Sequence, residues 1–146
     1  MNSGQKGIVI TAAVRTAIGT FNGSLKNLQG HDLGSAVVKE AMKKSMLNSK
    51  EIDELIMGQV LTSAAGQNPA RQAAIQAGLA KEKTAYVINQ VCGSGLRAVA
   101  AGYQAIMSND ANIVISGGQE SMSNAPHAIN IRQGEKLEER NLIDTM

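Results

Sequence analysis

Thr84-Ala85-Tyr86-Val87-Ile88-Asn89-Gln90-Val91-Cys92-Gly93-Ser94-Gly95-Leu96-Arg97-Ala98-Val99 is the stretch on which the fold turns. Residues 84–91 are rich in apolar and β-branched types, with Ala85, Val87, Asn89 and Val91 on one side, and predict a strand. After Gly93-Ser94-Gly95 the pattern changes to helical spacing over 96–107, where Arg97 is the only charge. Leu96, Val99, Tyr103, Ile106 and Met107 share one face of that helix, and Ala98, Ala101, Gly102 and Ala105 share the other. A helix apolar on both sides is expected to be buried between two layers. Its small-residue side should admit another backbone, supplied by a second layer beyond this sheet.

Working outward, 112–118 (NIVISGG) and 54–61 (ELIMGQVL) read as short buried strands. Asn68-Pro69 fits a cap followed by proline at the first helical position, so 69–77 is a helix closed by Gly78. Asp32 is placed to cap an amphipathic helix whose apolar face holds Gly34, Val37, Val38, Ala41, Met42 and Ser45, with Lys39, Glu40, Lys43 and Lys44 opposite. Residues 9–14 form a β-branched run that reads as a first strand, followed by a loop over 19–24. The order β-α-β-α-β-α-β is that of an α/β fold with a mostly parallel sheet. Composition agrees with closely stacked layers: among 146 residues there are 20 Ala and 15 Gly, but only Phe21, Tyr86 and Tyr103 as aromatics. From 131 to 146, seven residues are charged (Arg132, Glu135, Lys136, Glu138, Glu139, Arg140 and Asp144), and no terminal element is expected there.

Fourteen basic and 12 acidic residues leave a formal charge of +2, too small a field to expect a nucleic-acid or membrane-surface partner. No apolar run approaches the length of a spanning helix. The single cysteine forms no intrachain disulfide and suits a reducing compartment, so a cytoplasmic location is expected. There is neither a Cys/His spacing for zinc nor a phosphate loop, and His31 and His127 read as surface or packing residues.

Cys92 stands where the strand hands over to the helix. Unpaired N–H groups and the helix macrodipole favour a thiolate there, and the same N–H groups could hold the oxyanion formed when a thioester carbonyl is attacked. This placement suits covalent acyl transfer. A buried, inert cysteine is the competing reading. A third reading takes Gly93-Ser94-Gly95-Leu96-Arg97-Ala98 as the dinucleotide fingerprint G-x-G-x-x-A, with Glu120 as the acidic ribose ligand. In that reading the chain is a dinucleotide-binding module.

Residues 88–99 resemble the acyl-enzyme motif of the thiolase family. Gly117-Gly118-Gln119-Glu120-Ser121-Met122-Ser123 with Ala125-Pro126-His127, Gly66-Gln67-Asn68-Pro69-Ala70-Arg71-Gln72, and Arg15-Thr16-Ala17-Ile18-Gly19-Thr20-Phe21 are also similar to it. Ala17 stands where that family more often has proline. The resemblance implies a thiolase-like N-terminal half over 1–125, with the helix after Cys92 at its centre. Residues 126–146 would then begin the oligomerisation and loop-domain segment. It implies an acyl-CoA C-acyltransferase that condenses two acetyl-CoA into acetoacetyl-CoA, or the reverse, through an acyl-cysteine at Cys92. Gly93, Ser94, Gly95, Gln67 and Asn68 would support the Cys92 loop. No cofactor beyond the coenzyme A thioester is implied, and no metal. The implied partners are a homo-oligomer or a complementary C-terminal half, which in this family carries the activating His and the second Cys. The alternative is an inactive truncated half that serves only in folding or oligomerisation.

Overall fold

The computed structural model describes residues 7–132 and 141–146. Helix α1 (Gly30–Ser45), strand β1 (Glu54–Gly58), helix α2 (Pro69–Ala77), strand β2 (Thr84–Ile88), helix α3 (Ser94–Met107) and strand β3 (Val114–Gly118) follow in order. A 3-10 turn at Met122–Asn124 and the short strands β4 (His127–Ala128) and β5 (Ile143–Asp144) follow among the described residues. The main sheet is parallel in the order β2-β1-β3, with Glu54 opposite both Thr84 and Val114. The α/β class and its parallel sheet are therefore as expected.

Alternation along β1 divides the core. Leu55 and Met57 point to the face covered by α1 and α2, where they pack with Val38, Ile52, Ala70, Ala73, Ala74, Ala77 and Leu79. Alanine on α2 and Gly34 on α1 let these two helices approach closely: a Cβ on Gly34 would lie 3.2 Å from the Cβ of Ala73. The α2 boundaries follow the sequence reading. Asn68 Oδ1 accepts from the Arg71 amide at 3.1 Å, Pro69 takes the first turn, and Gly78 closes the helix with φ +86°. Asp53 ties the entry edge of the sheet together, accepting from the amides of Asn112 (2.8 Å) and Ile113 (3.2 Å) and facing Lys83 Nζ at 3.4 Å.

Helix α3 covers the opposite face, and here the structure corrects the expectation. Its small-residue side, with Ser94, Ala98 and Gly102 buried, lies against β1 and β3. A Cβ on Gly102 would stand 2.6 Å from Ser116 Oγ, so only a bare backbone fits over β3. The large-residue side faces outward, leaving Leu96 79%, Tyr103 51% and Met107 42% exposed. Within this chain the sheet covers one side of α3, and the side left open for a second layer is the large-residue one, not the small-residue one that was expected.

Residues 9–14 do not form a strand, because nothing among the described residues pairs with them. They line a cleft of about 1560 Å³, whose other walls are α1, α3 and the outer edge of β3. Val9 and Ile10 remain exposed. Strand propensity alone does not make a strand without a neighbouring ladder to satisfy its amides. Several boundaries also shift, with α3 beginning at Ser94 and β3 at Val114 in place of 96 and 112. Helix α1 starts at Gly30 with Gln29 as its N-cap, so Asp32 is its third residue and joins the capping box from inside the helix, accepting from the Gln29 amide at 2.9 Å. Strands β1 and β2 stop at Gly58 and Ile88, short of 61 and 91. The chain's last residues do form an element: β5 pairs antiparallel with β4, and Thr145 Oγ1 donates to the Pro126 carbonyl at 2.7 Å. Of the charged tail, residues 133–140 lie outside the described residues.

Candidate active site

The C-terminal ends of the three parallel strands lie side by side, with Gly58, Ile88 and Gly118 in register. In parallel α/β sheets this edge is where sites gather. Three glycines bring α3 onto it. A Cβ on Gly58 would fall 2.3 Å from the Ser94 carbonyl carbon, and one on Gly118 would fall 3.3 Å from Gly95 Cα. The first turn of α3 therefore rests directly on the backbones of β1 and β3.

Between β2 and α3 the chain makes a tight elbow. Val91 has φ +49°, a left-handed conformation that costs a β-branched residue about 1–2 kcal/mol. Several hydrogen bonds hold it there. Asn89 Oδ1 accepts from the Val91 amide at 3.0 Å, an Asx turn. The buried Ser94 hydroxyl accepts from the Gln90 amide at 2.8 Å and donates to the Val91 carbonyl at 2.5 Å. The amides of Gly93 and Ser94 donate back to the carbonyls of Gln90 and Val91 at 3.0 and 3.1 Å. These two amides are committed to the turn, which removes them from the donors an oxyanion could use. Cys92 sits in the elbow, free and exposed, so the reading of this residue as buried falls.

Neighbouring loops are knitted to the elbow. Asn89 Nδ2 donates to the Val60 carbonyl at 3.3 Å. The Glu120 carboxylate accepts from the amides of Val60 (2.8 Å) and Leu61 (3.3 Å). Gln119 Nε2 donates to Gln59 Oε1 at 2.8 Å, and Gln59 Nε2 donates to the Leu61 carbonyl at 2.8 Å. Glu120 is thus a clamp between two strand ends, and the role of ribose ligand in the dinucleotide reading is not open to it in this arrangement.

Asn68 holds β2 as well as α2, donating from Nδ2 to the Ala85 carbonyl at 2.8 Å. Gln67 is exposed, and its carbonyl accepts from Gln72 Nε2 at 3.1 Å. Among the described hydrogen bonds neither residue touches the Cys92 loop directly; Asn68 reaches it only through β2. Asn89 was missed as a functional candidate because it was read as part of a strand. Asparagine is a common turn former, but nothing in the sequence marked Val91 as the left-handed position that its side chain would serve.

No metal-ligand cluster of His, Cys, Asp and Glu occurs among the described residues. Residues 8–146 match the family described as the N-terminal domain of thiolase. The chain belongs to the thiolase family. It is 52% identical to an acetyl-CoA acetyltransferase of Rhizobium meliloti (strain 1021), over 95% of this chain and 35% of that protein. Against the cytosolic acetyl-CoA acetyltransferase of Rattus norvegicus it is 44% identical, over 100% of this chain and 37% of that protein. The crystal structure of the Bacillus anthracis acetyl-CoA acetyltransferase superposes with a TM-score of 0.88 at 38% identity, covering 94% of this chain and 35% of that one. This thiolase chain therefore spans about a third of the length of the relatives it matches. Three of the four thiolase motifs read from the sequence build the edge just described, with 88–99 at the elbow and the start of α3, 117–123 at the end of β3 and 66–72 at the start of α2, while 15–21 lines the cleft beside α1 and α3.

Proposed function

We propose that this chain carries the nucleophilic half of an acyl-CoA C-acyltransferase, which joins two acetyl-CoA into acetoacetyl-CoA or splits the product again. The observation that supports it most is the exposed Cys92 thiol on a strained elbow, held at the C-terminal edge of a parallel sheet. In the proposed reaction the Cys92 thiolate attacks the acetyl carbonyl of the first acetyl-CoA. The oxyanion of the tetrahedral intermediate is met by the Cys92 N–H, and coenzyme A departs with a proton as its thiol. A base then removes a proton from the methyl group of the second acetyl-CoA. The resulting carbanion attacks the acetyl-cysteine carbonyl, forms the carbon–carbon bond and releases Cys92 as thiolate.

The proposed acid and base is the second Cys, and the group that activates Cys92 is the His, both of which the thiolase resemblance assigns to the C-terminal half. The working assembly is accordingly a complementary C-terminal half or a homo-oligomer of longer chains. Gly93, Ser94, Gly95, Gln67 and Asn68 are proposed to shape and support the Cys92 loop. No cofactor is proposed beyond the coenzyme A thioester itself. No helix among the described residues is long and apolar enough to cross a membrane. A cytoplasmic setting is proposed on the single unpaired cysteine and on a relative named as cytosolic.

The exposed apolar side of α3 favours one second reading, a half that serves only in folding and oligomerisation. One experiment separates the two. The chain is mixed with a polypeptide covering the remaining two-thirds of its relatives, acetyl-CoA is added, and intact and peptide masses are recorded. A single acetyl group on the Cys92 peptide, absent from Cys92→Ser, is expected. Equal labelling of Cys92→Ser, or no labelling at all, removes the nucleophile assignment.

A further inference from the structure

The elbow carrying Cys92 is held by more than its own turn. Val91 is bulky and β-branched, yet it occupies the left-handed region at φ +49°. Such a conformation persists only where its surroundings over-determine it. The surroundings here are two side chains. Ser94 is 4% exposed, and its one hydroxyl bridges the elbow from inside, taking the Gln90 amide at 2.8 Å and giving its proton to the Val91 carbonyl at 2.5 Å. Asn89 closes it from outside, with Oδ1 on the Val91 amide at 3.0 Å and Nδ2 on the Val60 carbonyl at 3.3 Å. Val91 is thus gripped at both its amide and its carbonyl. Val60 is in turn fixed by the Glu120 carboxylate at 2.8 Å, so the outer closure is anchored on the end of β3.

We propose that Ser94 and Asn89 are positioning residues for the nucleophile, a two-sided latch that keeps Val91 left-handed and so presents the Cys92 thiol outward at the sheet edge. This rests on the reading of Cys92 as the nucleophile and adds the device that aims it. Without the Ser94 hydroxyl, the Gln90 amide loses its partner and the Val91 carbonyl keeps only the Ser94 amide at 3.1 Å, and Val91 relaxes toward the extended region. Cys92, the next residue, then rotates with the peptide plane. Neither latch residue touches substrate atoms; each acts through Val91. Serine suits the inner place because one hydroxyl donates and accepts at once. Threonine retains both capacities, whereas alanine retains neither.

The test uses the 146-residue chain and its single cysteine. Wild type, Ser94→Ala, Ser94→Thr and Asn89→Ala are compared for the second-order rate of iodoacetamide alkylation at Cys92. Amide hydrogen exchange at Gln90 and Val91 and the melting temperature are followed in the same samples. In Ser94→Ala, alkylation is expected to fall at least fivefold and Gln90 amide exchange to rise at least tenfold, with both restored to within about twofold by Ser94→Thr. Asn89→Ala, at an exposed position, is expected to slow alkylation in the same direction while Val91 amide exchange rises. A folded Ser94→Ala chain that alkylates at the wild-type rate overturns the inference. If that variant does not fold, an unchanged rate in Asn89→Ala overturns it equally. Failure of acetyl transfer to Cys92 from acetyl-CoA would refute the proposed function but leave these rates and exchange data standing, so the two failures are distinguishable.

Discussion

Gly58 lies beneath Gly95 so closely that a Cβ added to the first would fall 2.4 Å from the amide nitrogen of the second. This contact joins the end of β1 to the first turn of α3, and it sets the height of the Cys92 elbow above the sheet. Glycine is required at 58 for space, since its φ is not among the left-handed ones.

Gly58→Ala should therefore be costly although it adds one methyl group. Its neighbour is backbone, which cannot swing aside as a side chain does. The expected loss is about 3 kcal/mol, the upper part of the range for overpacked cores. Denaturant midpoints measured against wild type check this, and an unchanged midpoint would show that α3 can lift off β1 freely.

Asp53 gives the fold an acid-sensitive tie. The amides of Asn112 and Ile113, with Lys83 beside them, hold its carboxyl below the ordinary value of 3.8 in spite of some desolvation. A folded-state value below the unfolded one adds stability above the unfolded value, and that stability is lost as pH falls through the folded one. Asp53→Asn should be less stable than wild type at neutral pH by about 1–2 kcal/mol, as for loss of hydrogen bonds to a charged group. The gap should close on acidification below about pH 4, where the wild-type carboxyl begins to protonate. Urea unfolding from pH 7 down to about pH 2.5 measures it. A gap constant across that span would contradict the assignment.

Asn68 has two separable roles, a left-handed backbone at φ 46° and a side chain that caps α2 and reaches Ala85. Asn68→Gly removes the second role and tolerates the first, whereas Asn68→Ala fails at both. Alanine is expected to cost about 1 kcal/mol more than glycine at this site, from the left-handed penalty alone. Paired thermal melts decide the order, and alanine proving the milder change would refute this account of the cap.

The outward side of α3 exposes Leu96, Val99, Tyr103 and Met107 along one helix. A contiguous apolar patch of this kind promotes association in water. Sedimentation should show concentration-dependent self-association of the chain, reduced in the double variant Leu96→Glu/Tyr103→Glu with little change in melting temperature. A wild-type chain that stays monomeric and binds no hydrophobic dye at high concentration would count against this.

Much of the molecule could be read from residue order because local chemistry decides it. The proline after Asn68 and the glycine at 78 set the ends of α2 through backbone geometry that needs no distant partner. The change from alternating to helical spacing around Cys92-Gly93-Ser94-Gly95 located the handover from β2 to α3, and with it the thiol. The side of α3 that would be buried was not readable in this way. Both its faces are apolar, and only the fit of Gly102 over Ser116, and of Gly95 over Gly118, selects the small-residue side for the sheet. Residues 9–14 show the same limit, since their β-branched run forms a strand only when another strand lies alongside to pair with its amides. The roles of Asn89 and Glu120 also waited on tertiary structure: each acts on Val60, 29 and 60 residues away in the chain. Order along the chain thus determined most of the elements and the place of the Cys92 sulfur. Three-dimensional packing decided which faces meet and what aims that sulfur, because close approach and hydrogen bonding depend on distances that no linear spacing encodes.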